Sequence, residues 1–260
     1  MKAISIMYHD VVERGGEEAS GFSGADANLY KIEVEKFEEH LTRIAESRTT
    51  PADKVTESSN DQNPFFITFD DGGRSAFTQT VEALERRGWH GHFFVATDFI
   101  DTPTFLSQAE IKELDARGHI VGSHSASHPL RMASLSPNEL RREWVGSVEK
   151  LSDILGYRVT TASVPGGHFS RAVAEAASIA GIKTLFTSEP TTSVYKIDDT
   201  TVFGRYTIQR RTPVETVAAI ARGDLNPRLR QFLFWNSKKV LKKIGGENYL
   251  KIRKRLLSKS

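Results

Sequence analysis

FFITFDDG, at residues 65–72, is the stretch that decides how this chain of 260 residues folds. Its β-branched and aromatic residues predict a buried strand, which stops at two adjacent carboxylates and a pair of glycines. α/β folds place their chemistry at the carboxyl ends of such strands. The backbone turns there, so Asp70 and Asp71 can both reach one pocket. The same residues could instead only begin a turn and cap the next helix.

A second stretch, GSHSASHP at residues 122–129, contains two histidines four residues apart after another short apolar strand. Imidazole is a ligand that zinc and its neighbours favour, and two rings in one loop can converge on one divalent cation. A carboxylate from a different strand would complete a three-ligand site with open positions, which is the catalytic pattern. The pair alone is more often two surface histidines. Together with the two aspartates, His124 and His128 predict a catalytic metal site.

These two motifs, TFDDG at 68–72 and HSASH at 124–128, resemble those of the NodB-type polysaccharide deacetylases, the fourth carbohydrate esterase family. The resemblance covers about residues 1–220. It implies an irregular β/α barrel of the (β/α)7 type. It also implies that Asp70 is the general base and that Asp71, His124 and His128 hold the metal.

The third motif of the family is only partly present, in PGGH at residues 165–168. Pro165 and Gly167 match, but the position that is usually arginine is Ser163. Because that arginine normally steadies the base, we predict that Arg205 supplies the charge from another strand. The alternative is a surface arginine in an edge strand.

The same segment is predicted to line the substrate groove. A backbone N–H near residues 165–167 is expected to hold the oxyanion, as preorganised backbone donors do in acyl transfer. The residues assigned to substrate binding are Pro165, Gly166, Gly167 and His168.

The family also has a late histidine that protonates the leaving amine, and this chain has no histidine after His168. We predict that His9 takes that role, because Tyr8-His9-Asp10 closes the first strand and exopolysaccharide-deacetylase relatives have a similar Tyr-His there. A histidine with a pKa near about 6.5 can donate a proton at neutral pH. His168 is the competing candidate, and either could be an ordinary polar residue at a strand end.

The chain is predicted to comprise a barrel at residues 1–222 and a basic helical extension at 223–260. The barrel follows from the repeated strand–helix order, which is typical of a parallel sheet that is closed or nearly so. Residues 224–260 hold eleven Lys and Arg against two acidic residues, a net charge of +9 in a chain whose total is +2. Apolar residues recur there at helical spacing, so this side either packs on the barrel or meets anionic lipid head groups. No nucleic-acid-binding motif accompanies the charge.

Composition bears on the type of site and on where the protein is expected to act. The absence of cysteine excludes disulfides and thiolate ligands. No apolar run approaches the roughly 18 residues of a membrane span, and the first residues are too short and too soon polar for a secretion signal. We therefore expect a cytoplasmic protein, peripheral to the inner face of the membrane if the tail binds lipid, unless a leader has been removed.

The function expected from these features is metal-dependent removal of N-acetyl groups from amino sugars of a polysaccharide or its lipid-linked precursor. By ligand type the site suits Zn²⁺, our first expectation, and also Co²⁺, Ni²⁺ or Fe²⁺. Two alternatives stay open. One is hydrolysis of another amide or a cyclic imide on the same fold, and the other is a catalytically lapsed carbohydrate-binding protein.

Overall fold

The computed structural model describes residues 1–48 and 64–237, and the structural statements below concern these two ranges. The loop expected at residues 49–63 and most of the basic extension lie outside them. The strands of the described residues are β1 (Ile4–Tyr8), β2 (Val11–Val12), β3 (Ile32–Glu33), β4 (Phe65–Phe69), β5 (Gly91–Val95), β6 (Ile120–Ser123), β7 (Thr161–Ser163), β8 (Thr184–Phe186), β9 (Tyr195–Ile197), β10 (Thr200–Phe203) and β11 (Tyr206–Thr207). The α-helices are α1 (Ala25–Asn28), α2 (Val34–Ser47), α3 (Val81–Glu85), α4 (Gln108–Ala116), α5 (Pro137–Leu155), α6 (Arg171–Ile179) and α7 (Val214–Arg222), and residues 225–237 are also helical.

The main sheet has the strand order β11-β1-β4-β5-β6-β7-β8-β10-β9. All neighbours are parallel except the antiparallel pair of β9 and β10. A bridge joins Lys2, just before β1, to Ser193, just before β9, so the two sides of the sheet approach each other and the sheet curls into a barrel. If β10 and β11 count as one position, seven parallel positions surround the interior. This confirms the irregular β/α barrel expected from the sequence.

The chain from Thr200 to Thr207 is divided into two strands, β10 and β11. The chain pairs with β8 as far as Phe203 and with β1 from Tyr206 onward. Between them, Gly204 has no room for a side chain, since a Cβ would lie 2.4 Å from the carbonyl oxygen of Glu189. This crossing from one neighbour to the other brings Arg205 into the middle of the barrel.

Strand β4 shows how the alternation of a strand sorts its side chains. Phe65, Ile67 and Phe69 belong to the large cluster between the barrel and its helices. Phe66 points the other way, into an aromatic interior. The interior cluster consists of Ala3, Phe66, Phe94, Phe186 and Phe203. Because side chains alternate with period two, Asp70 follows Phe66 on the interior face.

Two of the helices begin at serine caps. Ser107 precedes α4 and Ser136 precedes α5, and each forms a reciprocal capping box with the glutamate three residues later. Pro137 occupies the first position of α5, where its missing N–H has no intrahelical partner to lose. Within residues 1–48 and 64–237, no helix is both long enough and apolar enough to span a bilayer.

Candidate active site

The carboxyl ends of parallel strands bring the predicted residues to one edge of the barrel. His9 follows β1, Asp70 and Asp71 follow β4, and His124 follows β6. These strands run in the same direction in one sheet, so their carboxyl ends share an edge. Residues that are up to 115 positions apart therefore meet there.

Arg205 forms a two-pronged ion pair with Asp70. Its Nη1 donates to Oδ1 at 2.6 Å, and its Nη2 donates to Oδ2 at 2.7 Å. The guanidinium is fully buried, lies over the rings of Phe94 and Phe186, and donates from Nε to the carbonyl of Thr187 at 3.0 Å. The alternative of a surface arginine is therefore wrong. Arg205, in the segment between β10 and β11, thus provides the positive charge that Ser163 lacks.

Asp71 leaves the strand direction through an unusual backbone conformation. Its φ is +75°, and that of Gly72 is +80°. Two successive left-handed residues rotate the Asp71 carboxylate from the outer face, where alternation would leave it, toward the histidine loop. Gly73 is required for space and not for the turn, because a Cβ there would lie 2.0 Å from Oδ1 of Asp10.

Both candidate histidine ligands lie close to one carboxylate oxygen of Asp71. Oδ1 of Asp71 lies 3.4 Å from Nε2 of His124 and 3.2 Å from Nε2 of His128, and this buried oxygen has no hydrogen-bond partner of good geometry. In a tetrahedral site with ligand distances of about 2.1 Å, neighbouring ligand atoms are about 3.4 Å apart. Asp71, His124 and His128 form a group of ligand atoms within 4.8 Å of one another. The spacing and donor set fit a divalent metal ion such as Zn²⁺.

Ser163 connects the base to the ligands, a role that the sequence did not predict. Its hydroxyl donates to Oδ1 of Asp70 at 3.1 Å and lies 2.5 Å from Nδ1 of His124. Its carbonyl oxygen lies 3.1 Å from the same nitrogen and can only accept. Nδ1 of His124 therefore carries the proton, which leaves the lone pair of Nε2 directed toward Asp71. The only signal in the sequence is that serine replaces the motif arginine.

Glu143 of α5 holds the loop between the two histidines. Its carboxylate accepts from the N–H of Ala126 at 3.0 Å and from both the N–H and the hydroxyl of Ser127, at 2.9 and 2.6 Å. The loop needs this support because Ser125 and His128 have φ values of +63° and +55°. Nothing in the local sequence around Glu143 indicates this contact.

The electrostatics of the site keep both carboxylates ionised. Burial raises the pKa of Asp70, but the charge and the hydrogen bonds of Arg205 outweigh it and hold the pKa below its ordinary value. Burial likewise opposes ionisation of Asp71, whose pKa is nevertheless well below the ordinary value because His9 and His128 favour the ionised form. Burial lowers the pKa of His128, yet Asp71 produces a net rise. A base and a carboxylate ligand both require the ionised form at neutral pH.

His9 lies at the edge of this group. Its ring packs on that of Tyr30 with 4.6 Å between centroids, and its charge acts on the pKa of both aspartates. Its Nδ1 is buried and has no hydrogen-bond partner among the described residues. This position is consistent with the predicted role as acid, which stays a prediction.

The groove-wall segment lies against the histidine loop. Residues Pro165–Gly167 form a single 3₁₀ turn, and a Cβ on Gly166 would lie 2.6 Å from the carbonyl oxygen of Leu130. Gly166 and Gly167 both have positive φ. His168 ends this turn and is partly buried. The substrate-binding roles of these four residues stay predictions.

A buried cluster beneath the site fastens the loop that follows β2. Asp10 accepts from the hydroxyls of Ser20 at 2.5 Å and Ser75 at 2.8 Å. Lys31, which is fully buried, donates to the carbonyl of Ser20 at 2.7 Å and also to that of Glu17. These contacts tie residues 17–31 to the turn after β4, and this loop brings Tyr30 to His9.

The fold and the site together define a class of protein: an irregular β/α barrel with an ion-paired aspartate beside an Asp-His-His set. The family model for polysaccharide deacetylase matches residues 57–185. The chain therefore belongs to the polysaccharide deacetylase family, a family of hydrolases.

Named relatives agree with this assignment. The chain is 34% identical over 110 residues to a peptidoglycan-N-acetylglucosamine deacetylase of Listeria monocytogenes, covering 42% of this chain and 22% of that protein. It is 28% identical over 129 residues to a peptidoglycan-N-acetylmuramic acid deacetylase of Bacillus subtilis, covering 49% and 47%. The matched region is thus less than half of either relative. A crystal structure of a polysaccharide deacetylase from Bacillus cereus superimposes with a TM-score of 0.70 at 22% identity over 85% of this chain and 69% of that one, a likeness of fold.

Proposed function

We propose that this protein removes N-acetyl groups from amino sugars of a glycan, with a divalent metal ion held by Asp71, His124 and His128. The observation that carries the proposal is the ion pair of Asp70 with Arg205 directly beside the ligand group. Oδ2 of Asp70 lies 3.9 Å from Nε2 of His124, so an ionised base adjoins the ligand set. A carboxylate so placed is suited to take a proton from water that attacks a carbonyl there.

The residues divide the reaction between them. Asp70 takes one proton from the attacking water, whose oxygen forms the new bond to the acetyl carbon. His9 gives a proton to the sugar nitrogen as the C–N bond breaks, so the products are acetate and a free amine. A backbone N–H of residues 165–167 would stabilise the negative charge on the former carbonyl oxygen. A divalent ion in this site supplies Lewis-acid polarisation of the amide and lowers the pKa of water.

The substrate class is supported by the family and by the named relatives. Both relatives cited above act, by their names, on N-acetylated sugars of peptidoglycan. We propose an N-acetylated amino-sugar glycan or its lipid-linked precursor as substrate, and Zn²⁺ as the first candidate ion. The buried Arg205 also removes one of the two arguments for a lapsed enzyme, the missing motif arginine, because the base has a cationic partner from elsewhere in the barrel. The other argument, the missing late histidine, rests on the role of His9.

Two measurements together test the proposal: metal content of the purified protein and acetate release from N-acetylglucosamine oligomers. Bound metal with acetate release is the expected result. Bound metal without acetate release, but with hydrolysis of other amides or cyclic imides in a substrate screen, would assign the chain to the alternative reaction. Neither metal nor any hydrolysis would support a carbohydrate-binding role.

The role of His9 is tested separately. His9→Ala is expected to lower kcat by about 10²–10⁴, the range for loss of general acid–base catalysis, with metal affinity intact. The effect should shrink for substrates whose amine is already a good leaving group. His168→Ala is the matched variant, and a loss confined to it would transfer the acid role to His168.

A further inference from the structure

Helix 225–237 runs along the edge of the barrel toward the active site. It begins after Gly223, which faces Ile4 at the amino end of β1. Six residues into the helix, the side-chain amide of Gln231 donates to the carbonyl of Thr207, the last residue of β11, at 3.0 Å. β11 is parallel to β1, so Thr207 lies at the end of the barrel that carries the site. The carboxyl-terminal half of the helix therefore lies near the edge that bears the aspartates and histidines.

The apolar side of this helix faces outward. Leu225, Leu229, Phe232 and Leu233 are 66%, 45%, 45% and 59% exposed. Their spacing of four, seven and eight residues puts them on one helical face. Gln231, by contrast, is partly buried against the barrel. Packing of the apolar side on the barrel, one of the two alternatives for the tail, therefore does not hold for Phe232 and Leu233. We call Leu225, Leu229, Phe232 and Leu233 the apolar stripe.

Positive charge surrounds the apolar stripe in the sequence. Arg230 is exposed on the same helix, and Lys238, Lys239, Lys242 and Lys243 follow it directly. Residues 224–260 carry a net charge of +9. Leucine and phenylalanine on one face with lysine and arginine beside them are typical of helices that lie in the interface of an anionic bilayer. Each basic residue near such a surface adds to the attraction.

We propose that the apolar stripe inserts into the head-group region of an anionic lipid bilayer, with Arg230 beside it on the lipid phosphates. The active-site edge of the barrel then lies beside the membrane surface. The proposal concerns binding and does not depend on the proposed hydrolysis.

Vesicle flotation of the full chain tests the proposal, with phosphatidylcholine vesicles that contain or lack phosphatidylglycerol. The parent should float with the anionic vesicles at low salt and less at moderate salt. The double variant Leu229→Glu/Leu233→Glu should lower the partition coefficient by more than about ten-fold, because it places charge in the inserted face. Ile179→Glu is the matched control, since Ile179 is 73% exposed on α6, and it should float like the parent.

A second variant tests the charges. Lys238→Glu/Lys239→Glu/Lys242→Glu/Lys243→Glu should also lower the partition coefficient by more than about ten-fold. A parent that stays in the soluble fraction at low salt would overturn the proposal. Unchanged flotation of the leucine variant would overturn it too, because the basic tail would then bind without the stripe. If the parent does not float but forms dimers that the leucine variant abolishes in sedimentation, a second copy of the chain covers the stripe instead.

Discussion

The two halves of the active site are built over very different distances in the chain. In the base half, Asp70 is held by Arg205, 135 residues away, through a buried ion pair. In the ligand half, His124 and His128 share one loop, which Glu143 holds from 16 or 17 residues away through backbone hydrogen bonds. The histidine loop is thus held locally, although Asp71 comes from another strand, whereas the base half depends on closure of the barrel. Variants of the two halves should therefore fail in different ways.

The largest expected effect separates catalysis from metal binding. Asp70→Asn should lower kcat by about 10²–10⁴ or more while metal stays bound, because it removes the base and no ligand. Asp71→Ala and His124→Ala should lose the metal as well as the activity. Metal content by elemental analysis beside acetate release gives the comparison. Equal metal loss in all three variants would make Asp70 a fourth ligand and place the base elsewhere.

Replacement of the buried Arg205 should lower both the activity that depends on Asp70 and the stability of the fold. Arg205→Met leaves the Asp70 carboxylate buried without its partner, so the free energy of unfolding should fall by about 3–5 kcal/mol. Urea unfolding measures this loss, and Arg141→Met, which alters an exposed residue of α5, should leave stability unchanged. The double variant Asp70→Asn/Arg205→Met should recover part of the loss. Strict additivity of the two single losses would contradict an energetic ion pair.

The same variant predicts a change in pH dependence. Arg205 helps to lower the pKa of Asp70 in the folded chain, so this stabilisation is present above the ordinary aspartate pKa and is lost as pH falls through the folded value. Without Arg205, burial dominates and the pKa of Asp70 rises. The acidic limb of the kcat/KM profile should then move to higher pH in Arg205→Met. A limb that does not move would mean that Asp70 is not the group that titrates there.

A smaller effect is expected in the ligand half. Glu143→Ala removes three hydrogen bonds from the histidine loop, so metal affinity should fall by about 10–100-fold, as for other partners that orient ligands. Competition with a chromogenic chelator measures the affinity. Glu149→Ala, an exposed glutamate on the same helix, is the control and should bind metal like the parent. Equal affinities in the two variants would show that the loop holds its shape without Glu143.

The smallest effect should come from the link between the halves. Ser163→Ala removes the hydroxyl between Asp70 and His124, but the carbonyl of residue 163 can still accept from Nδ1 of His124 and Arg205 still holds Asp70. Metal affinity should fall by less than about ten-fold, and kcat should fall moderately. Parallel metal titration and acetate assays give both values. A loss as large as that of His124→Ala would mean that the hydroxyl, not the carbonyl, fixes the histidine.

The local features of this protein could be predicted from its sequence because they depend on neighbours in the chain. The run of aromatic and β-branched residues in β4 followed by two aspartates, and the four-residue spacing of the histidines, predicted the place and composition of the candidate metal site. Ser107 with Glu110, and Ser136 followed by Pro137, are the local signals for the starts of α4 and α5. Glu143 and Ser163 escaped prediction, since their partners are brought to them by other strands and helices.

Sequence alone thus predicted most strands of the main sheet, the starts of α4 and α5 and the candidate ligand residues, since period, caps and spacing act within a few residues. Tertiary structure decided that Arg205 is buried on Asp70, because only the crossing from β10 to β11 brings residue 205 into the barrel. It also decided which way the apolar stripe of helix 225–237 turns. A helical pattern defines an apolar face, but the contacts of the other face, here Gln231 with Thr207, determine whether that face meets the barrel or the solvent.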